Sequence, residues 1–151
     1  MSTTPKTYTG GCHCGLIRYS LDLNPANITG GKCNCSSCLS RSLLILDILP
    51  PSSFKLQSPA SLDDSQLGRY SPKGDEGSFF FYFCKTCGVN VFYQARHKPD
   101  GAEPEWLRIN ALSLDPDQGL DFTKIKMEYW DGKNNNWKAG PSSVPYSGGA
   151  L

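Results

Sequence analysis

Phe79-Phe80-Phe81-Tyr82-Phe83-Cys84-Lys85-Thr86-Cys87-Gly88 is an aromatic run of strand length that ends in a C-x-x-C-G knuckle. Aromatic residues pack well on a pleated surface, and so unbroken a run predicts a strand covered on both faces. The glycine allows the backbone to fold back while its neighbours approach the two sulfur atoms. Upstream lies Cys12-His13-Cys14, and between them Cys33-Asn34-Cys35-Ser36-Ser37-Cys38; together these clusters hold all 7 cysteines. Two pairs make a set of four thiolates, which suits closed, structural zinc. The triplet supplies three thiolates and leaves one coordination position free, as in a zinc site that does chemistry.

Spacing supports this partition without settling it. Residues i and i+2 of a strand share a face, so Cys12 and Cys14 are expected to reach one ion, with His13 pointing away. Pairing Cys12 and Cys14 with Cys84 and Cys87 closes a loop of about seventy residues, a plausible staple for a domain of short strands. Cys33 and Cys35 could instead pair with Cys84 and Cys87. The triplet could also form a second structural site completed by Asp, Glu or His97, or serve as metal-free redox thiols.

The rest of the chain reads as mainly β. Ile17, Tyr19, Leu21 and Leu23 alternate with polar residues, as in a half-buried strand. Asn24-Pro25-Ala26-Asn27 marks a turn. Leu43 to Leu49 is an apolar run ended by Pro50-Pro51. Val89, Val91 and Tyr93 alternate, as do Leu107, Ile109 and Ala111, and Ile125, Met127 and Tyr129. Helical signals are confined to a turn within 36–42 and one within 51–56, the latter capped by Ser52. Loops are expected at 58–65, 72–77 and 97–105. The 11 prolines and 15 glycines punctuate many short strands, the signature of an all-β domain. The aromatic run and Trp106, Trp130 and Trp137 read first as core packing, with the lining of a pocket as the alternative.

The 151 residues fit one domain, residues 1–151, with a core at about 8–138 and a loosely held tail at 140–151. The formal net charge of +1 argues against a basic nucleic-acid interface. No apolar run approaches the ~20 residues of a membrane span. Met1 to Thr9 carries no apolar stretch of the secretory type, so the expected compartment is the cytoplasm, where clustered cysteines are more often metal ligands than disulfides.

Zinc held by three thiolates carries a formal charge of −1. It is a weaker Lewis acid than zinc on three neutral histidines, better suited to holding a thiol, hydroxyl or carbonyl of an incoming molecule than to acidifying water. Cations nearby would attract an anionic substrate. Lys32 and Arg41 flank the triplet in sequence, and Arg18 lies on the strand beside the first knuckle; Arg18 and Arg41 are the candidates for substrate recognition.

Three ordered blocks resemble the glutathione-dependent formaldehyde-activating enzyme family, also called the GFA or centromere-protein-V domain. They are Gly10-Gly11-Cys12-His13-Cys14-Gly15-Leu16-Ile17-Arg18-Tyr19, the triplet Cys33 to Cys38, and Phe83 to Gly88 followed by Phe92. Asn110 to Asp115 is similar to a late segment of the family ending in Leu-Asp. The resemblance implies an Mss4-like zinc-binding fold of short antiparallel strands. It implies structural zinc on Cys12, Cys14, Cys84 and Cys87 and catalytic zinc on Cys33, Cys35 and Cys38, two ions in all. It also implies a carbon–sulfur lyase that joins formaldehyde to glutathione, giving S-(hydroxymethyl)glutathione. The chain departs from the family at Asn34, where His is common, and at Leu39 to Leu43, which replaces an Arg-Lys-x-x-Gly stretch. The alternatives are a zinc-dependent lyase acting on a biosynthetic small molecule by dehydration, decarboxylation or rearrangement, and a non-catalytic zinc-binding module.

Overall fold

Ten strands build two sheets in the computed structural model, which describes residues 4–96 and 103–149. The strands are β1 (Lys6–Gly11), β2 (Arg18–Leu23), β3 (Thr29–Cys33), β4 (Ile45–Ile48), β5 (Lys55–Ser58), β6 (Leu67–Tyr70), β7 (Phe79–Cys84), β8 (Asn90–Ala95), β9 (Leu107–Asn110) and β10 (Lys126–Trp130); a single α-helical turn, α1, spans Ser36–Leu39, and the other helical turns are short 3-10 pieces. The smaller sheet runs β1-β2-β5 and the larger runs β10-β3-β4-β9-β8-β7-β6. All pairings are antiparallel except β10 beside β3, which is parallel. The mainly β fold of short, mostly antiparallel strands is the one expected, and the larger sheet is mixed through this one parallel pair.

The alternation of β2 is the one read from sequence: Tyr19, Leu21 and Leu23 are buried and the residues between them are not. They enter a core with Tyr8, Ile48, Phe92 and Ile109. Tyr19 stacks on Phe54 at 5.2 Å between ring centroids, and Phe54 meets Phe92 at 5.0 Å, so aromatic contacts tie the small sheet to the large one. Phe92 is almost fully buried; burial of a side chain that size contributes about 1.5–3 kcal/mol.

Strand β8 departs from its sequence pattern. Tyr82 pairs with Phe92 and Phe83 with Asn90, so Val91 is an extra residue in the ladder. Such a bulge breaks the period of two. Val91 thus packs in the main core, while Tyr93, read from alternation as its same-face neighbour, packs in a second cluster with Cys33, Leu43, Ile45 and Phe81.

The turn at 51–56 is shorter than expected. Only Pro51–Ser53 are helical, and no side chain caps them in the way assigned to Ser52; Ser53 Oγ instead donates to Pro50 O at 2.8 Å. The start of the tail is tied down, since Tyr129 and Ser142 exchange backbone hydrogen bonds of 2.8 and 2.9 Å. Among the described residues no helix is long and apolar enough to cross a membrane.

Candidate metal centres and the cavity beside them

Both cysteine clusters assemble at strand ends. Cys12, Cys14, Cys84 and Cys87 place their sulfurs within 4.8 Å of one another, and so do Cys33, Cys35 and Cys38. The alternative pairing of Cys33 and Cys35 with Cys84 and Cys87 is not the one the fold makes. In the quartet, Cys14 Sγ lies 3.5 Å from both Cys12 Sγ and Cys84 Sγ. Sulfurs around tetrahedral zinc at ~2.3 Å stand ~3.8 Å apart, so four thiolates in this arrangement fit the ion.

Cys12 and Cys14 converge for a different reason than the strand geometry expected. They occupy the turn between β1 and β2, which is closed by Gly15 N–H to Cys12 O at 3.1 Å and Cys12 N–H to Ile17 O at 3.0 Å. Ile17 N–H donates to Cys12 Sγ at 3.2 Å. Opposite, Gly88 at φ +76° closes the β7–β8 turn by donating to Cys84 O at 2.8 Å, a left-handed conformation that glycine takes without strain. Burial raises the Cys87 thiol, but the Val89 and Cys14 backbone N–H groups and the Cys84 and Cys14 thiols outweigh it and bring it down to about 6. Cys14 is pushed up to about 12; the Leu16 N–H works downward and is outweighed by burial and the Cys12, Cys84 and Cys87 sulfurs. Thiols this close compete for protons, and a dication removes the competition.

The triplet shows the same frustration. Cys33 ends β3, Cys35 precedes α1, and Cys38 lies within α1. Cys33 is drawn down to about 6, first by a hydrogen bond from the Cys38 thiol, against burial, with help from the Cys35 and Gly132 backbone N–H groups. Cys38 is pushed up by the same contact with Cys33 and by burial. The three sulfurs fit one face of a zinc ion. Asn34 is buried between them and a turn at 131–134: its Nδ2 donates to Asp131 Oδ1 at 2.7 Å and its Oδ1 accepts from Lys133 N–H at 2.8 Å.

The triplet lines a cavity of about 860 Å³, within the range of small-molecule sites. Phe79, Phe81, Tyr93, Trp106, Trp130 and Trp137 supply aromatic wall, and Asp22, Asp47, Arg108 and Glu128 supply charge. The reading of the aromatic run as core packing therefore holds for Phe80 and Tyr82, while Phe79, Phe81 and the three tryptophans line the cavity. Alternation splits the run between two faces.

The candidate cations fall elsewhere. Arg18 forms a two-pronged pair with Asp115, one arm at 2.8 Å, and Asp115 also accepts from Thr9 Oγ1 at 2.6 Å. Arg41 donates to Ser37 O at 2.8 Å and lies over the rings of Tyr70 and Phe81 at 4.8 and 4.5 Å. Neither Arg18, Arg41 nor Lys32 lines the cavity. Arg41 thus stays beside the triplet loop at Ser37, with its guanidinium over Phe81. Among the described residues, the cation that lines the cavity is Arg108, paired with Asp47 across β9 and β4 and lying 4.9 Å from the Trp106 ring centroid. The alternating β9 pattern carried this signal, since Arg108 is the polar residue between Leu107 and Ile109. His13 is exposed in its turn, and His97 lies outside the described residues.

Tyr93 stands opposite Arg108 in the β8–β9 register. Its ring meets Phe81 at 5.2 Å and Trp106 at 6.0 Å. Burial drives its hydroxyl well above the usual tyrosine range, and the buried oxygen has no hydrogen-bond partner among the described residues.

A sequence model of the family described as "Glutathione-dependent formaldehyde-activating enzyme" matches residues 7–130, a span that contains both clusters. The fold is similar to the crystal structure of a Rhodobacter sphaeroides protein, a structural-genomics target, with a TM-score of 0.57 and 21% identity over 81% of this chain and 98% of that one.

Proposed function

Because the chain belongs to the glutathione-dependent formaldehyde-activating enzyme family, we propose that it is a zinc-dependent enzyme of the carbon–sulfur lyase type, with its chemistry at Cys33, Cys35 and Cys38. The observation that carries this reading is three convergent sulfurs on the wall of a cavity of about 860 Å³. Cys12, Cys14, Cys84 and Cys87 would hold a second, structural zinc. Bound at the triplet, zinc would supply positive charge to a substrate thiolate or carbonyl oxygen.

In the joining direction a thiol adds to the carbonyl carbon of formaldehyde. The S–C bond forms, one C–O electron pair moves to oxygen, and the thiol's proton ends on that oxygen, with no net oxidation. Lyase action is the reverse. The chain's own contribution is placement. The Cys35 and Gly132 N–H groups aim at Cys33 Sγ and fix it. Asn34 locks the triplet loop to the 131–134 turn. The aromatic wall would lower the dielectric around a bound substrate, which strengthens polar contacts made inside.

Exchange spectroscopy on ¹³C-formaldehyde and glutathione tests the proposal. Zinc-loaded protein should speed interconversion with S-(hydroxymethyl)glutathione well above the spontaneous rate; equal rates would overturn it. The six aromatic rings support a second reading, in which the same centre acts on a ring-bearing biosynthetic molecule. A calorimetric titration separates the two, since absence of glutathione binding at millimolar concentration favours the second.

A further inference from the structure

Tyr93 carries a buried hydroxyl that has no hydrogen-bond partner among the described residues. The residue is only 5% exposed, yet it lines the cavity that also holds the three sulfurs. Tyr93 packs in one cluster with Cys33, and Cys35 and Cys38 pack against that cluster. A buried hydroxyl without a hydrogen bond costs about 1–3 kcal/mol, and phenylalanine would make the same ring contacts with Phe81 and Trp106 without that cost. The neighbouring aromatic positions, Phe79 and Phe81, are phenylalanine. A hydroxyl retained at a cost, on a ring that lines a cavity, is a donor waiting for an acceptor.

We propose that Tyr93 is a catalytic residue whose hydroxyl donates a hydrogen bond to the substrate oxygen while the substrate sulfur sits at the three-cysteine centre. This rests on the reading of that centre as open to substrate. As the S–C bond forms, the C–O pair collects on oxygen, and the Tyr93 O–H stabilises that charge; as the bond breaks, the same contact is present in reverse. The thiol's proton remains the one that ends on the oxygen, and Tyr93 keeps its own. A preorganised donor in a water-excluded site is worth far more in the transition state than in the ground state. The substrate it selects is a thiol adduct with an oxygen on the carbon next to sulfur or close to it.

The test uses Tyr93→Phe in the zinc-loaded full chain, with two readouts. In turnover of formaldehyde and glutathione, kcat should fall by about 10²-fold, with KM within about twofold of wild type. In calorimetry, 2-mercaptoethanol and 1-propanethiol serve as probes because they differ by one hydroxyl in place of a methyl. The ratio of their affinities in wild type should exceed the ratio in Tyr93→Phe by about fivefold, the worth of one hydrogen bond. The melting temperature should be unchanged or raised, because the orphaned hydroxyl is gone. An unchanged kcat with equal probe ratios would overturn the role of Tyr93 while leaving the centre's reading intact, and so would a lowered melting temperature, which would assign the hydroxyl a structural partner. If neither thiol binds wild type, the open-centre reading falls and takes this one with it.

Discussion

Asn34 donates to Asp131 at 2.7 Å across 97 residues of chain, and through this bond the triplet loop and the 131–134 turn hold each other. The Asp131 carboxyl is held below the usual range, first by Asn34 and then by Asn134, so it is ionised at neutral pH. Asn34→Ala leaves the Lys133 N–H without its acceptor and weakens Asp131; a loss of about 1–3 kcal/mol is expected, read by urea denaturation. Asn34→Asp should be worse at pH 7, since it sets a carboxylate against a carboxylate. Like charges raise the folded-state pKa of one of the pair. The variant's deficit should therefore shrink as pH falls through that raised value and grow as pH rises through it. A deficit independent of pH would show that the pair does not form.

A second pH effect has the opposite sign. Arg18 holds the Asp115 carboxyl low, first by hydrogen bonding, with Thr9 adding to it. A folded-state pKa below the unfolded one contributes stability that is present above about pH 4 and is lost as pH falls through the folded value. Both side chains are about a third exposed, at 36% and 32%, so the contribution is about 1 kcal/mol or less. Asp115→Asn should lower stability slightly at pH 6 and should flatten the acid limb between pH 5 and 3. Comparing the two proteins cancels the thiolate protonation common to both. Parallel acid limbs would refute the coupling.

What the sequence made legible was chemistry that repeats a fixed local pattern. The knuckle Cys84 to Gly88 and the triplet Cys33 to Cys38 announce themselves because ligands for one ion must lie close together in the chain when few residues separate them. Strand β2 is legible because its two faces see different solvents. The cavity was legible only as the second choice for the aromatic residues. Its wall takes alternate members of an aromatic run, and no property of Phe79 or Phe81 separates them from Phe80 until the sheet's two faces are known. Tyr93 was misplaced by the Val91 bulge, which a period of two cannot foresee. Arg41 keeps its adjacency to the triplet through Ser37, but its guanidinium lies over Phe81 and Tyr70, a placement that adjacency in sequence does not specify.

Gly132 bounds the triplet from the other side. A Cβ there would lie 2.6 Å from Cys33 Sγ and 2.7 Å from the Trp137 ring. Neither neighbour can yield without moving the sulfur or opening the cavity wall. With zinc at both clusters as proposed, Gly132→Ala should therefore lose most of the ion at the triplet and leave that at the quartet, so that zinc per chain falls from two toward one. Melting should stay cooperative, with a loss of about 1–3 kcal/mol from overpacking. Retention of two ions with wild-type activity would show that the turn has slack that the close contact does not reveal.

The strongest discrimination lies between the two clusters themselves. Cys12 and Cys14 reach Cys84 across 70 residues, so the quartet joins the small sheet to the large one, and structural zinc in small modules is worth on the order of 10–16 kcal/mol of apparent binding energy. Cys87→Ser should therefore unfold the chain, seen as loss of the cooperative transition by circular dichroism. The triplet closes a loop of a few residues beside α1 and staples nothing distant, so its loss costs the fold little. Cys38→Ser should keep the wild-type spectrum, hold about one zinc per chain, and lose activity. Equal unfolding by both substitutions would make the triplet a second structural site. The cavity would then be packing space beside a closed metal, and the carbon–sulfur chemistry assigned to it would have no open position at which to occur.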